Sequence, residues 1–352
     1  MDLEKRINAF AELGKFLGQF SRKEIKKLDH IQCNDTFFDA LTMQIERAEE
    51  FNGWFTKDNV LYAFETWSNL LTKNNLTNWI SSYDLKDIAP KNIAIVMAGN
   101  IPLVGFHDLL STLISGNKVI AKQSSNDVRL LPLLVKYIEY VEPEFKGYVT
   151  FTNEKLTNFN AAIATGSNNT ARYFEYYFGK YPNIIRKNKN SVAVLTGNET
   201  EEELKGLSED IFRYFGLGCR SVSKLYVPVN YDFDKLFGAV YDYHDIINYK
   251  KYQNNYDYNK AVYLMSNFDL LENGFLMLKE DASYASPIAT LFYEYYDDLE
   301  NLKQRLYMDS EHIQCVVSST LENAVPFGKT QQPSLTDYAD GVDTMQFLTN
   351  LK

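Results

Sequence analysis

From Ile93 onward the sequence alternates short apolar runs with helical patterns, and that alternation limits the fold more than any other feature. Ile93 to Met97, Lys118 to Ala121, Tyr148 to Phe151, Ala161 to Thr165, Ile184-Ile185 and Val192 to Leu195 read as strands. Between them, Leu103 to Ile114 carries apolar residues at 103, 106, 109, 110, 113 and 114, ending at Gly116-Asn117 as at a C-cap. The polar turn Ser124 to Asp127 is expected to cap a helix through Leu133 and Tyr137, and Gly166 to Asn169 to open one over Thr170 to Phe178. Parallel strands need crossovers of this length, so the pattern predicts an α/β fold with an open parallel sheet of Rossmann type. Upstream, residues 1 to about 85 read as helical, with apolar spacing around Phe10 to Phe20 and Leu61 to Leu71 and a break at Thr72 to Asn75. No internal repeat or low-complexity linker is present. The expected division is a nucleotide-binding domain over 1–195, a second α/β domain over 196–325 carrying a thiol, and a C-terminal segment over 326–352.

Composition narrows the function. With 352 residues, 45% of them apolar, the chain can bury a large core. A net charge of −10 argues against nucleic-acid binding, which needs a basic face. Three separated cysteines and four scattered histidines offer neither a disulfide framework nor metal-ligand spacing, so no metal is expected. The charged start Met1 to Arg6 is unlike a signal peptide, and no apolar run reaches the length of a membrane span. A cytoplasmic, reducing setting is the expectation, and there a thiol stays active.

The candidate chemistry centres on Cys219, which ends Phe215-Gly216-Leu217-Gly218-Cys219 between a helical segment and the strand-like Val222 to Val227. A thiol at such a junction, beside glycines that let the backbone approach a ligand, suits a thioester-forming nucleophile. A buried structural cysteine is the plain alternative. Asn100 follows a strand, where its amide can donate to an oxyanion or simply form a turn. Lys122 closes another strand, at the edge where doubly wound sheets bind ligands, although a solvated lysine is the ordinary reading. Thr165-Gly166-Ser167 can present amides and a hydroxyl to a pyrophosphate, or serve as a plain N-cap. His107, His244 and His312 read as surface or core residues, Cys33 and Cys315 as structural. The tyrosines of 241–263 and 293–296 read as ordinary packing rather than as tunnel walls.

Taken in order, these segments resemble the aldehyde dehydrogenase superfamily, and within it the acyl-CoA reductases of bacterial bioluminescence. Asn100-Ile101-Pro102-Leu103 resembles the oxyanion-hole element, and Gly116 to Ser124 the segment whose lysine, here Lys122, contacts the adenosine ribose. Thr165-Gly166-Ser167 is similar to the phosphate turn and Phe212 to Cys219 to the nucleophile segment. Val325 to Pro333 and Asp337 to Asp340 resemble the tail of the reductase branch. The resemblance implies an aldehyde-dehydrogenase-like fold and NADPH-dependent reduction of a fatty acyl-CoA to the aldehyde through an acyl-S-Cys219 thioester. Catalysis then falls to Cys219 and Asn100, and cofactor binding to Lys122, Ser125, Gly166 and Ser167.

Departures refine this picture. The element whose glutamate activates water becomes Arg186-Lys187-Asn188-Lys189, and the one whose glutamate holds the nicotinamide ribose becomes Ser283 to Pro287. Ser125 stands where NAD-specific members place a glutamate, which favours NADPH, with NADH as the alternative. Arg172 and the cluster Arg186, Lys187 and Lys189 are candidates to neutralise phosphates of NADPH or coenzyme A, with a solvated basic loop the equal alternative for the cluster; Arg220 either favours thiol ionisation or points away. Rival readings are a CoA-acylating aldehyde dehydrogenase running oxidatively on a short aldehyde, a non-redox cysteine acyltransferase, and a non-catalytic scaffold. By the same resemblance, a homo-oligomer or an acyl-activating partner enzyme is the expected company.

Overall fold

The computed structural model describes residues 1–85 and 88–351, with the backbone alone at residue 168. The chain forms two compact units. One comprises Met1–Lys187 and the chain from Ser334 onward, the other Asn188–Pro333.

The first unit begins with four helices, α1 (Leu3–Leu17), α2 (Asn34–Phe51), α3 (Lys57–Leu70) and α4 (Lys73–Ile80). Asp2, Thr56 and Thr72 cap α1, α3 and α4 through side-chain oxygens that accept backbone N–H groups otherwise left over at helix starts. Leu71 ends α3 and Thr72 starts α4, at the break the polar stretch predicts. Next come β1 (Asn92–Val96), α5 (Phe106–Ile114), β2 (Lys118–Lys122), α6 (Leu130–Val141), β3 (Val149–Phe151), β4 (Ala161–Thr165), α7 (Asn168–Phe178) and β5 (Asn183–Arg186). The strands pair in the order β3-β2-β1-β4-β5, all parallel. This is the doubly wound order, with its switch point between β1 and β4. Phe10, Phe16, Phe106 and Tyr137 lie in one apolar core shared by α1, α5 and α6.

Two helix starts differ from the sequence expectation. α5 begins at Phe106 because Leu103 adopts a left-handed φ of 58° and ends the preceding turn. α6 begins at Leu130 with Arg129 as an N-cap that makes no side-chain cap bond. The expected cap at Ser124 to Asp127 is instead a turn, Asp127 N donating to Ser124 O at 3.0 Å.

The second unit holds β6 (Asn190–Val194), α8 (Glu201–Phe212), β7 (Val222–Pro228), α9 (Phe233–Val240), α10 (Lys250–Met265), β8 (Leu270–Glu272), β9 (Met277–Glu280), β10 (Thr290–Tyr296), α11 (Leu299–Met308) and β11 (Ile313–Val317). Its sheet runs β11-β6-β7-β10-β9-β8, parallel except for β8. The strand at 190–194 thus belongs to this second sheet, paired with β7 and β11, and the division falls at 187/188 rather than at 195. Tyr252 and Tyr256 are buried while Tyr241 and Tyr258 are exposed, the mixture expected of ordinary packing.

After Pro333 the chain returns to the first unit and ends in α12 (Thr344–Thr349). The segment 326–352 is therefore split, its first part staying with the second unit. The return is anchored by Tyr338, whose hydroxyl accepts from Trp79 Nε1 at 2.7 Å and bonds Tyr83 Oη at 2.8 Å. His107 stacks among Trp67, Trp79 and Tyr338, its Nε2 at 3.1 Å from the Leu335 carbonyl. Of the surface and core roles open to it, His107 takes the core one. Alongside, the buried Arg186 pairs with the buried Asp108 at 2.5 Å and donates to Thr344 Oγ1 at 2.9 Å.

Removing one partner of a buried ion pair leaves an uncompensated charge. Asp108→Ala is expected to destabilise the protein by about 3–5 kcal/mol in denaturant unfolding. Burial lowers the pKa of His107, against the attraction of Asp108 and with Arg186 adding to the effect. The folded pKa lies below the unfolded one, so stability is present above about pH 6.5 and declines as pH falls through the unfolded value. Unfolding measured between pH 5 and 8 is expected to show this slope in the wild type and a shallower one in His107→Gln.

Candidate active site

Each unit contributes a group of candidate residues, and each group follows from its own sheet. In the first unit, β1 lies between β2 and β4, and Val96 is in register with both Lys122 and Ala164. Parallel pairing therefore brings the loops after all three strands to one edge. Lys122, half-buried, ends β2 with Nζ donating to the Glu154 carbonyl at 3.3 Å. Asn100 is half-buried in the loop after β1.

That loop is held by its neighbours. A Cβ on Gly99 would fall 2.6 Å from Ser124 Cβ, so only glycine lets the two loops meet. Asn52 Nδ2 donates to Gly99 O at 3.2 Å. Asp127 accepts a backbone hydrogen bond from Leu103, and burial raises its carboxyl pKa to about 7. Gln123 Nε2 donates to Asp127 O at 2.9 Å. The Asn100 loop and the loop after Lys122 are thus one bonded surface. Ser125 is exposed and lines a cleft of about 140 Å³ with Asn126, Arg129 and Phe51. The Arg129 guanidinium lies 3.8 Å over the Phe51 ring.

After β4, Ser167 caps α7, its Oγ accepting from Thr170 N at 3.3 Å and bonding Thr170 Oγ1 at 2.9 Å. The plain N-cap is realised, on an exposed helix start beside the switch point. A Cβ on Gly166 would meet Phe174 at 2.9 Å, which sets how closely α7 closes on β4. An exposed hydroxyl, a helix start and the Lys122 side chain thus lie on neighbouring loops at one sheet edge.

The basic cluster at 186–189 does not form one patch. Arg186 is buried against Asp108, Lys187 pairs with Glu175 at 2.9 Å, and Lys189 donates to Ser310 O at 3.3 Å. Arg172 is exposed on α7.

In the second unit, α8 ends at Phe212 and the chain reverses before β7. Tyr214, Phe215 and Gly216 all take left-handed φ values, 56°, 58° and 73°. Such φ costs bulky L-residues about 1–2 kcal/mol each, and strain of this kind marks sites over-determined by their surroundings. Both aromatic residues are buried, Phe215 packing on Tyr249 and Tyr252. Cys219 follows with its side chain exposed, and its carbonyl accepts from Ser191 Oγ at 3.0 Å. Arg220, next in sequence, has its Nε donating to the Thr330 carbonyl at 2.5 Å.

The stretch Ser283 to Pro287 is tied to β7. Ser223 Oγ donates to Tyr284 O at 2.7 Å and the buried Lys224 donates to Ala282 O at 2.7 Å. Glu294 pairs with both Lys224 and Arg305, and burial lowers the Lys224 pKa despite Glu294. Sequence reading missed this group, of which only Lys224 is fully buried, because only the fold brings residues 224, 294 and 305 together. Cys33 is half-buried with a thiol pKa raised by burial, and Cys315 is buried on β11. His244 and His312 lie outside both groups, stacked on Tyr241 and Tyr284. Among the described residues no cluster of His, Cys, Asp or Glu could hold a metal ion, and no helix is long and apolar enough to cross a membrane.

Comparison with solved structures finds aldehyde dehydrogenases. Aldehyde dehydrogenase 21 from Physcomitrella patens, in complex with the reaction product succinate, matches with a TM-score of 0.64 at 12% identity, over 91% of this chain and 74% of that one. Delta-pyrroline-5-carboxylate dehydrogenase from Mycobacterium tuberculosis matches at 0.60 and 14%, over 99% and 77%. The NAD+ complex of an aldehyde dehydrogenase from Bacillus cereus matches at 0.58 and 12%, over 90% and 72%. No curated protein sequence matches the chain. The family model described as "Acyl-CoA reductase (LuxC)" matches residues 1–234, about two thirds of the chain. The chain belongs to this acyl-CoA reductase family, whose fold here is that of the aldehyde dehydrogenases.

Proposed function

We propose that this acyl-CoA reductase converts a fatty acyl thioester to the aldehyde with NADPH, through an acyl-S-Cys219 intermediate. The observation that carries the proposal is an exposed thiol on a strained turn at the head of β7, in a chain of this family. Cys219 attacks the acyl carbonyl, its C–S bond forms, and the bond to coenzyme A breaks with loss of a thiolate. A thiolate nucleophile exchanging with a thiolate leaving group needs little general-base help. The oxyanion of each tetrahedral stage is held by the Asn100 amide and the Cys219 backbone N–H. The reduced nicotinamide, when bound, supplies the hydride that brings the thioester to the aldehyde level. Collapse of the thiohemiacetal returns the Cys219 thiol.

Lys122, Gly166 and Ser167, on the loops of one sheet edge, are proposed to hold the cofactor ribose and phosphates. Exposed Ser125 beside Arg129 leaves room for a 2′-phosphate and supports NADPH over NADH. The stretch that resembles the water-activating element, Arg186 to Lys189, holds no carboxylate, and its Arg186 is paired with Asp108. A missing base suits a thioester that must survive until reduced. The scaffold and acyltransferase readings have no observation of their own in favour.

Intact mass after incubation with a long-chain acyl-CoA tests the proposal. One acyl adduct is expected on the wild type and none on Cys219→Ala, with NADPH discharging the adduct as aldehyde. If the wild type takes no acyl group from any acyl-CoA, the proposal fails. Asn100→Ala is expected to slow acylation about 100-fold or more in rapid-quench measurements.

A further inference from the structure

The segment Val325 to Pro333 stands out in the sequence yet has no part in the reaction above. In the structure it lies as a strap between α8 and the turn that carries Cys219. Asp210, on the last turns of α8, is 1% exposed. Its carboxylate accepts from Gly328 N at 2.7 Å, from Thr330 N at 3.0 Å and from Thr330 Oγ1 at 2.8 Å. Burying a carboxylate is costly unless donors surround it, and here the strap supplies three. The close approach depends on residue 206, one helical turn earlier. A Cβ on Gly206 would lie 2.9 Å from the Phe327 carbonyl carbon and 3.0 Å from Gly328 N.

The far side of the strap meets the nucleophile turn. Arg220 Nε donates to Thr330 O, and Gln331 Nε2 donates to Ser221 Oγ at 3.2 Å. One residue, Thr330, therefore gives its N–H and hydroxyl to Asp210 and its carbonyl to Arg220. Residues 220 and 221 are held by the strap, and Cys219 is held from the other side through Ser191. We infer that Asp210 is a positioning residue for Cys219, acting through the 328–331 strap on Arg220 and Ser221. The inference rests on Cys219 being the nucleophile. Burial pushes the Asp210 carboxyl up to about 6, with the three donors opposing, so at neutral pH the ionised form that binds the strap prevails. Sequence spacing gives no hint of this link, because 210, 220 and 330 meet only in the fold.

The test uses the full-length protein and three variants. Asp210→Asn replaces one acceptor oxygen with a donor facing the strap's N–H groups. Gly206→Ala pushes the strap away without touching a charge and improves helix propensity by about 1 kcal/mol. Thr330→Val removes one of the three donors. Two readouts are taken below the unfolding temperature of each variant. One is the pH profile of Cys219 alkylation by iodoacetamide, resolved from Cys33 and Cys315 by peptide mass; the other is the rate of acylation by palmitoyl-CoA. Asp210→Asn and Gly206→Ala are expected to shift the alkylation profile and slow acylation at least tenfold, with a smaller loss in Thr330→Val. A folded variant of Asp210 or Gly206 with the wild-type profile and rate overturns the inference. Should Asp210→Asn not fold, Gly206→Ala and Thr330→Val decide by the same criterion. A wild type that takes no acyl group sinks the reaction scheme alone, since the alkylation profile still judges the strap.

Discussion

Parallel pairing is the constraint on which the rest depends. In a parallel sheet every strand ends at the same edge, so the loops that follow must gather there. β1 is flanked by β2 and β4 in register at Val96, and this alone brings the loops bearing Asn100, Lys122 and Gly166-Ser167 to one edge. In the second unit β7 lies between β6 and β10, and its first residues are where the chain arriving from α8 must turn. Cys219 occupies that turn. Both groups of candidate residues are thus products of strand direction before any side chain is considered.

Buried charge then fixes what topology leaves loose. Arg186 and Asp108 hold the end of β5 to α5 and, through Thr344, to α12. Lys224, Glu294 and Arg305 hold β7 to β10 and α11, with Ala282 on the same ammonium. Asp210 holds the strap. Buried pairs often contribute little net stability against apolar packing, but breaking one is costly. Their value here is geometric, since each acts where a loop must keep one position. Apolar contacts are non-directional and would not specify it.

The sequence made the elements legible where local chemistry decides them. Ala161–Thr165 is a strand over the residues its apolar run marks, and Gly116, with φ of 91°, follows α5 as a C-cap glycine should. Local signals failed where contacts distant in sequence compete. Ser124 looks like a cap, but its loop is packed on Gly99 and Asp127 is bonded to Leu103, so α6 starts later. The strand at 190–194 continues the alternation seamlessly, and nothing local says that its partners are β7 and β11. Of the candidate site, residue types and their order were readable. The left-handed turn before Cys219, the fate of Arg220 and the buried acids were not.

The proposed chemistry has no need of a water-activating base. A hydrolytic dehydrogenase must activate water against its thioester, whereas a reductase must keep water from it. In the proposed scheme the stretch resembling the base element is Arg186 to Lys189, and the Arg186 guanidinium is buried with Asp108. Replacing it with glutamate would therefore do two things at once. It would set a second carboxylate beside Asp108, with a like-charge penalty inside the fold. It would also remove the cation that offsets Asp108. On the proposed reading, that single change would disturb the first unit rather than simply add hydrolysis, because Arg186 is bonded to Asp108 and Thr344.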